Sequence, residues 1–109
     1  SCAKPVIATG YSGNVDFMNQ ENSFLVRYRL VEIERDHGPY KKGWMWADPD
    51  VDHAAECMRR VFEDRTLASE VGERGRAYVA ARLHPNTIAE VVKSRLAALD
   101  ANLAAASRA

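Results

Sequence analysis

Three stretches of this sequence hold residue types that chemistry uses. The first, Thr9-Gly10-Tyr11-Ser12-Gly13-Asn14, gathers hydroxyls, a phenol and an amide between two glycines. Such a stretch makes either a tight strand-to-helix turn whose glycines supply positive φ, or a loop that lines a ligand. The second is His53 with Cys57, four apart and so on one helix face, a spacing two metal ligands can use. No second pair accompanies them, and His37 and His84 lack a partner at useful spacing, so no metal site is expected. His53, beside Asp52, reads as a solvated surface side chain, and Cys57 as a small, partly buried hydrophobe. The third runs from Arg27 to Trp46 and interleaves Arg27, Arg29, Arg35, Lys41 and Lys42 with Tyr28, Tyr40, Trp44 and Trp46. That mixture superficially matches a surface that stacks bases and binds phosphates. Glu32, Glu34, Asp36, Asp48 and Asp50 dilute it, so counterion release would be weak. The segment reads first as a packed structural loop and second as a place for acceptor or partner recognition; no nucleic acid is expected.

The elements that must position these residues change character midway. Lys4-Pro5-Val6-Ile7-Ala8-Thr9 is a β-branched apolar run and predicts a strand buried on both faces, the survivor of a larger sheet, because such a strand needs neighbours on both sides. Val15 to Met18 predicts one helical turn, Asn19 to Asn22 a turn, and Ser23 to Val26 a second short strand. Arg29 to Glu34 alternates apolar and charged residues, which predicts a third, half-exposed strand. From Arg35 to Ala47, Gly38, Pro39 and Gly43 among Tyr40, Trp44 and Trp46 predict a structured loop pinned by aromatic anchors.

Asp48-Pro49-Asp50 then opens a helix, with Asp48 placed to accept orphan N–H groups and Pro49 having none to lose. Its predicted stripe is Val51, Ala54, Ala55, Met58, Val61 and Phe62, ending near Glu63. A second helix over about 66–82 carries Leu67, Val71, Tyr78 and Val79. Gly72 and Gly75 within it cost about 1 kcal/mol each against alanine, which predicts a tight helix crossing to offset the loss. The third helix starts near Pro85 or Asn86 and carries Ile88, Val91, Val92, Leu96, Leu99 and Leu103 before an alanine-rich end. Residues 1–47 are thus a strand-and-loop half, and residues 48–109 a helical half.

Composition bounds the rest. The chain has 109 residues, 47% of them hydrophobic, with fifteen Lys and Arg balancing fifteen Asp and Glu. Those values predict a single small soluble domain with no long-range pull on phosphate or anionic lipid. No apolar run approaches the length of a membrane span. Cys2 and Cys57 match no CxxC spacing and no signal-peptide pattern leads the chain, which predicts free thiols and a cytoplasmic location.

Ser1-Cys2-Ala3-Lys4-Pro5-Val6-Ile7-Ala8-Thr9, Ser12-Gly13-Asn14-Val15-Asp16 and Glu21-Asn22-Ser23-Phe24-Leu25-Val26 together resemble the C-terminal stretch of retaining, nucleotide-sugar-dependent glycosyltransferases of the glycogen-synthase-like group. There a Glu-Ala-Met-Ala-x-Gly-x-Pro-Val-Ile-Ala-Thr segment precedes a Gly-Gly-x-x-Glu turn, an Asn-Gly-Leu-Leu-Val strand and an Asp/Pro-led helix. The resemblance spans the chain, is strongest over Lys4 to Tyr28, and becomes a generic helical pattern after about Glu63. This sequence departs from the family pattern at Ala3 (usually Gly), at Ser12-Gly13 for Gly-Gly, at Asp16 for the turn's Glu, and in a longer Arg29-to-Ala47 connection. Asp16 itself reads first as a turn carboxylate bonded to nearby N–H groups.

The resemblance implies two Rossmann-like domains facing a cleft, with the sugar nucleotide held mainly by the C-terminal one, usually without a metal. This chain would be a partial Rossmann-like α/β unit, two or three short strands followed by three helices, with no cofactor. Ligands of such folds lie outside the carboxyl ends of parallel strands, so Thr9, Gly10, Tyr11, Ser12, Gly13 and Asn14 would line the floor of the cleft. The family's paired glutamates, separated by seven residues, fall before Ser1, which implies an isolated chain without transferase activity. The implied partners are a nucleotide-sugar donor and an acceptor hydroxyl of unspecified kind. A rival reading is a non-catalytic α+β interaction module whose open strand edge and helix stripes support a homodimer.

Overall fold

In a computed structural model that describes residues 2–106, the chain is mixed α/β, with two two-stranded sheets and three α-helices. Strand β1 (Ile7–Thr9) leads through a 3-10 turn (Ser12–Asp16) to β2 (Phe24–Val26). The two strands pair in parallel with Ile7 opposite Phe24, Ala8 opposite Leu25 and Thr9 opposite Val26. The ladder extends at both ends, where Phe24 N–H donates to the Val6 carbonyl at 2.9 Å and Gly10 N–H to the Val26 carbonyl at 3.0 Å. Strand β3 (Tyr28–Glu32) then pairs antiparallel with β4 (Met45–Pro49). Helices α1 (Val51–Glu63), α2 (Arg65–Arg82) and α3 (Pro85–Ala106) complete the order.

The core is small. Phe24 of β2, Cys57 of α1 and Val71 of α2 are buried together, flanked by Ile7, Val61 and Leu67. Strand β1 is half-buried throughout and Val6 is 48% exposed, so the expectation of burial on both faces is overturned. Among the described strands β1 pairs with β2 alone, which leaves its other edge uncovered. Before β2, Asn22 is buried and bonded at both ends of its amide: the nitrogen donates to the Phe17 carbonyl at 3.0 Å, and the oxygen accepts from Asn19 N–H at 2.8 Å and Ser23 Oγ at 2.9 Å. That knot fixes where β2 begins.

The segment read as a loop pinned by aromatic anchors is a hairpin with a fourth strand, and its large aromatics stay in solvent. Tyr40 is 55% and Trp44 57% exposed, while Ile33 is the fully buried side chain of the hairpin. Two turns close it: Gly38 takes φ +58° between the mutually bonded His37 and Tyr40, and Gly43 takes φ +87° where Trp44 N–H returns to the Lys41 carbonyl. Asp36 ties the end down by accepting from Lys42 N–H at 2.9 Å and Lys41 Nζ at 3.0 Å.

The helix start also moves. Asp48 and Pro49 pair across from Arg29 and Tyr28, so they belong to β4, and Asp50 is the N-cap, its carboxylate accepting from His53 N–H at 2.9 Å. Of the predicted α1 stripe, Ala54 and Val61 turn inward beside Cys57, whereas Val51, Met58 and Phe62 are 74%, 57% and 70% exposed. Apolar positions on α1 cover more than one face, and the sheet takes the face centred on Cys57. Helix α2, capped by Asp64, buries Ala68, Val71 and Gly72. Its two glycines do meet close neighbours, but these are backbone of the segment before β1 and of the turn before β2, not the crossing helix that was expected. A Cβ on Gly72 would strike the Ala3 backbone, and one on Gly75 would stand 3.0 Å from the Asn22 carbonyl oxygen. Arg74 adds a clasp from its Nε to the Glu21 carbonyl at 2.6 Å.

Helix α3 begins at Pro85 as predicted, yet its stripe faces solvent, from Ile88 at 43% to Leu103 at 68% exposed. The radius of gyration is accordingly 19.9 Å, against about 13 Å for a compact domain of this length. Among the described residues, no helix is long and apolar enough to cross a membrane.

The two capping carboxylates make acid a lever on this fold. The Lys42 backbone N–H, with Lys41, holds the Asp36 carboxyl below its ordinary value of 3.8, and the His53 backbone N–H, with Arg27, does the same for Asp50. Both groups are therefore bound more tightly as carboxylates in the folded chain. Their contribution is fully present above pH 3.8 and is lost as the pH falls through the lower folded-state values. Urea midpoints followed from neutral pH downwards should fall below that point, and fall less in an Asp36→Asn, Asp50→Asn double variant. Equal acid slopes in parent and variant would show that neither cap matters.

Candidate functional site

The carboxyl end of β1 opens onto a groove of about 620 Å³ whose two walls come from different parts of the chain. One wall is Ala8, Thr9, Tyr11, Ser12 and Asn14; the other is Tyr40, Met45, Trp46 and Ala47 of the hairpin. The groove thus gathers four of the six residues singled out in the sequence. Gly10 and Gly13 do not line it: Gly10 is used in the ladder to Val26, and Gly13 is exposed with open space where a side chain would stand.

The first wall is built around one carbonyl. The Thr9 carbonyl accepts from Tyr11 N–H at 2.8 Å and from the Asn14 side-chain amide at 2.9 Å, so the chain reverses within two residues of the strand end. Asn14 also reaches Met18 Sδ at 3.6 Å, and its carbonyl accepts from Phe17 and Met18 N–H, which closes the 3-10 turn. The glycines do not supply the left-handed backbone here, contrary to expectation. Ser12 does, at φ +68°, a conformation that costs a residue with a side chain of order 1–3 kcal/mol unless its surroundings hold it. Tyr11 lies with its ring 5.1 Å from that of Tyr28, joining the turn to β3. Asp16 ends the 3-10 turn, exposed and outside the groove.

The second wall was missed because the 35–47 segment was read as one loop. A weak signal was present: Trp44, Met45, Trp46 and Ala47 form a short apolar run rich in aromatic side chains after the turn residue Gly43, which suits a strand. Trp46 stacks against His37 with ring centroids 5.4 Å apart and is still 39% exposed.

Electrostatically the groove is neutral, because none of its lining residues carries a formal charge. Three basic residues in and just before the hairpin are ion-paired. Arg27 is bonded to Asp50 at 3.1 Å, Arg29 to Asp48 at 2.9 Å, and Lys41 to Asp36 at 3.0 Å. Of the basic and aromatic residues that superficially suggested a nucleic-acid surface, Tyr40 and Trp46 line this groove, whereas Tyr28 lies with Arg27, Arg29, Asp48 and Asp50 on a second hollow.

His53 and Cys57 share a helix face, with Cys57 Sγ 3.8 Å from His53 Nε2. His53 is not a free surface side chain: its Nδ1 accepts from Arg27 N–H at 3.0 Å, a cross-link between α1 and the chain joining β2 to β3. The accepting nitrogen carries no hydrogen, so the ring's hydrogen sits on Nε2, facing the thiol. Cys57 is fully in the core at 7% exposure, more buried than expected, and Cys2 is exposed; both are free thiols. Among the described residues no group of three or more His, Cys, Asp or Glu is placed to hold a metal ion. A larger hollow of about 860 Å³ runs along α3, but that helix alone lines it, so no second element converges on a ligand there.

In comparisons with family models, curated proteins and solved structures, nothing matches this chain.

Proposed function

We propose that these residues form the closing part of a Rossmann-like donor-binding domain in a retaining glycosyltransferase. Such an enzyme moves a sugar from a nucleoside diphosphate to an acceptor hydroxyl. The observation that carries the reading is the parallel β1–β2 pair, with Thr9, Tyr11, Ser12 and Asn14 gathered on a groove at its carboxyl end. Parallel strands in α/β folds bind ligands at that end, and parallel sheets are ordinarily covered on both faces by further elements. The uncovered edge of β1 and the exposed Val51, Met58 and Phe62 of α1 fit a sheet and helix layer that continue into other parts of an enzyme. The order of motifs along the chain supplies the class of reaction. In this reading the departing diphosphate is stabilised by helix N-termini and basic side chains outside the neutral groove.

A coding sequence read for about 40 codons upstream of Ser1, enough to approach a usual domain length, tests this. Two glutamates seven residues apart, leading into Cys2 through an Ala-Met-Ala-like stretch, are the expected result. A frame without that pair would remove the transferase reading. The solvent-facing stripe of α3 would then favour a non-catalytic interaction module that pairs with a second copy.

A further inference from the structure

We propose that the groove between the 9–14 turn and the β3–β4 hairpin binds a neutral pyranose, stacked on Trp46 and hydrogen-bonded by the turn. A sugar ring has one face of C–H bonds and a rim of hydroxyls that both donate and accept. The groove offers the matching halves. Trp46 and Tyr40 present aromatic surface, whose negative π-face attracts polarised C–H groups. Thr9, Tyr11, Ser12 and Tyr40 bring hydroxyls that donate or accept as required, and Asn14 brings its side-chain oxygen, its amide nitrogen being engaged by the Thr9 carbonyl and Met18 Sδ.

Charge decides against the main competitor. A nucleotide would also stack on an indole, but its phosphates need cations, and the groove's lining contains no Arg, Lys or His. Of the cations in and just before the hairpin, Arg27, Arg29 and Lys41 are paired with Asp50, Asp48 and Asp36. A diphosphate in the groove would meet no cation on its lining, whereas a neutral sugar needs none. The His37 ring braces Trp46, so little indole freedom remains to be lost on stacking. Resting on the transfer reading, the sugar held here is acceptor-type, a saccharide without phosphate, and the donor's anionic part lies elsewhere.

The test uses the 109-residue chain, labelled with nitrogen-15 and titrated with methyl α- and β-glycosides of glucose, mannose and galactose. UDP and inorganic diphosphate serve as anionic probes. At least one glycoside should shift the Trp46 indole and Asn14 amide resonances saturably, with a dissociation constant of about 1 mM, typical of one ring in an open groove. High salt should leave that affinity unchanged. Trp46→Ala should weaken it at least tenfold and Tyr40→Ala, at the exposed turn, severalfold, whereas Trp44→Ala should leave it intact. The Tyr40 variant keeps the test decisive should the Trp46 variant lose its hairpin. The proposal is overturned if no glycoside shifts Trp46, if only UDP or diphosphate does, or if the Trp46 resonance moves with protein concentration alone, the mark of a second copy on the groove. The frame upstream of Ser1 judges the transfer reading separately: glycoside binding without the glutamate pair leaves a sugar-binding module, and the pair without glycoside binding leaves a transferase with its acceptor elsewhere.

Discussion

Gly72→Ala is expected to destabilise this chain strongly, although alanine is the better helix former. The new Cβ would enter the space of the Ala3 carbonyl group, 2.8 Å from its carbon, and would stand 2.9 Å from the Lys4 carbonyl carbon. These are backbone atoms with no rotamer to yield, so either α2 or the segment leading into β1 must move. Overpacking of this kind costs about 1–3 kcal/mol, and a clash against backbone belongs at or above the top of that range. The helix-propensity gain of about 1 kcal/mol offsets part of it and leaves a net loss of about 2 kcal/mol or more. In a domain of this size that loss lowers the melting temperature by about 8–16 °C. Gly13→Ala is the control, because nothing stands within 4 Å of its added carbon, and it should change stability little. Thermal melts of the three proteins check this. A Gly72→Ala protein as stable as the parent would mean that the segment before β1 does not lie against α2.

That contact shows what a single sequence discloses. Helix ends are local events, and they were legible: Pro85 opens α3, and α2 runs to Arg82 as its pattern predicted. The two glycines correctly announced a close approach, but not to what, since nothing local to α2 distinguishes a crossing helix from non-helical backbone distant in sequence. Asp48-Pro49 has the chemistry of a helix start and was read as one. Its pairing with Arg29 and Tyr28 is non-local, and that pairing moved the cap to Asp50.

The groove divides in the same way. The turn after β1 was visible as small and polar residues following an apolar run, whereas its aromatic wall arrives by a hairpin whose second strand carries no strong apolar alternation. His53 looked like a surface residue because its partner, the Arg27 N–H, is a backbone group on a distant segment. The left-handed backbone sits on Ser12 between two glycines better suited to it, and sequence rules assign such strain to the glycines.

The second large effect is all-or-none. In a transfer assay with nucleotide sugars, the 109-residue chain is expected to release no nucleoside diphosphate above background. Glycosyl transfer needs charge stabilisation where the diphosphate departs, and the groove's lining is uncharged. The glutamate pair that the family resemblance calls for is also absent from these residues.

The most direct measurement therefore follows the product of the whole reading frame and the 109-residue chain side by side, with UDP-, GDP- and ADP-sugars and a neutral saccharide acceptor. The anomeric proton of the product is read by NMR. The account predicts that the whole product transfers from one of these donors with the donor's anomeric configuration retained, and that the isolated chain does not. Transfer by the 109 residues alone, an inverted anomer, or no transfer by the whole product would contradict it.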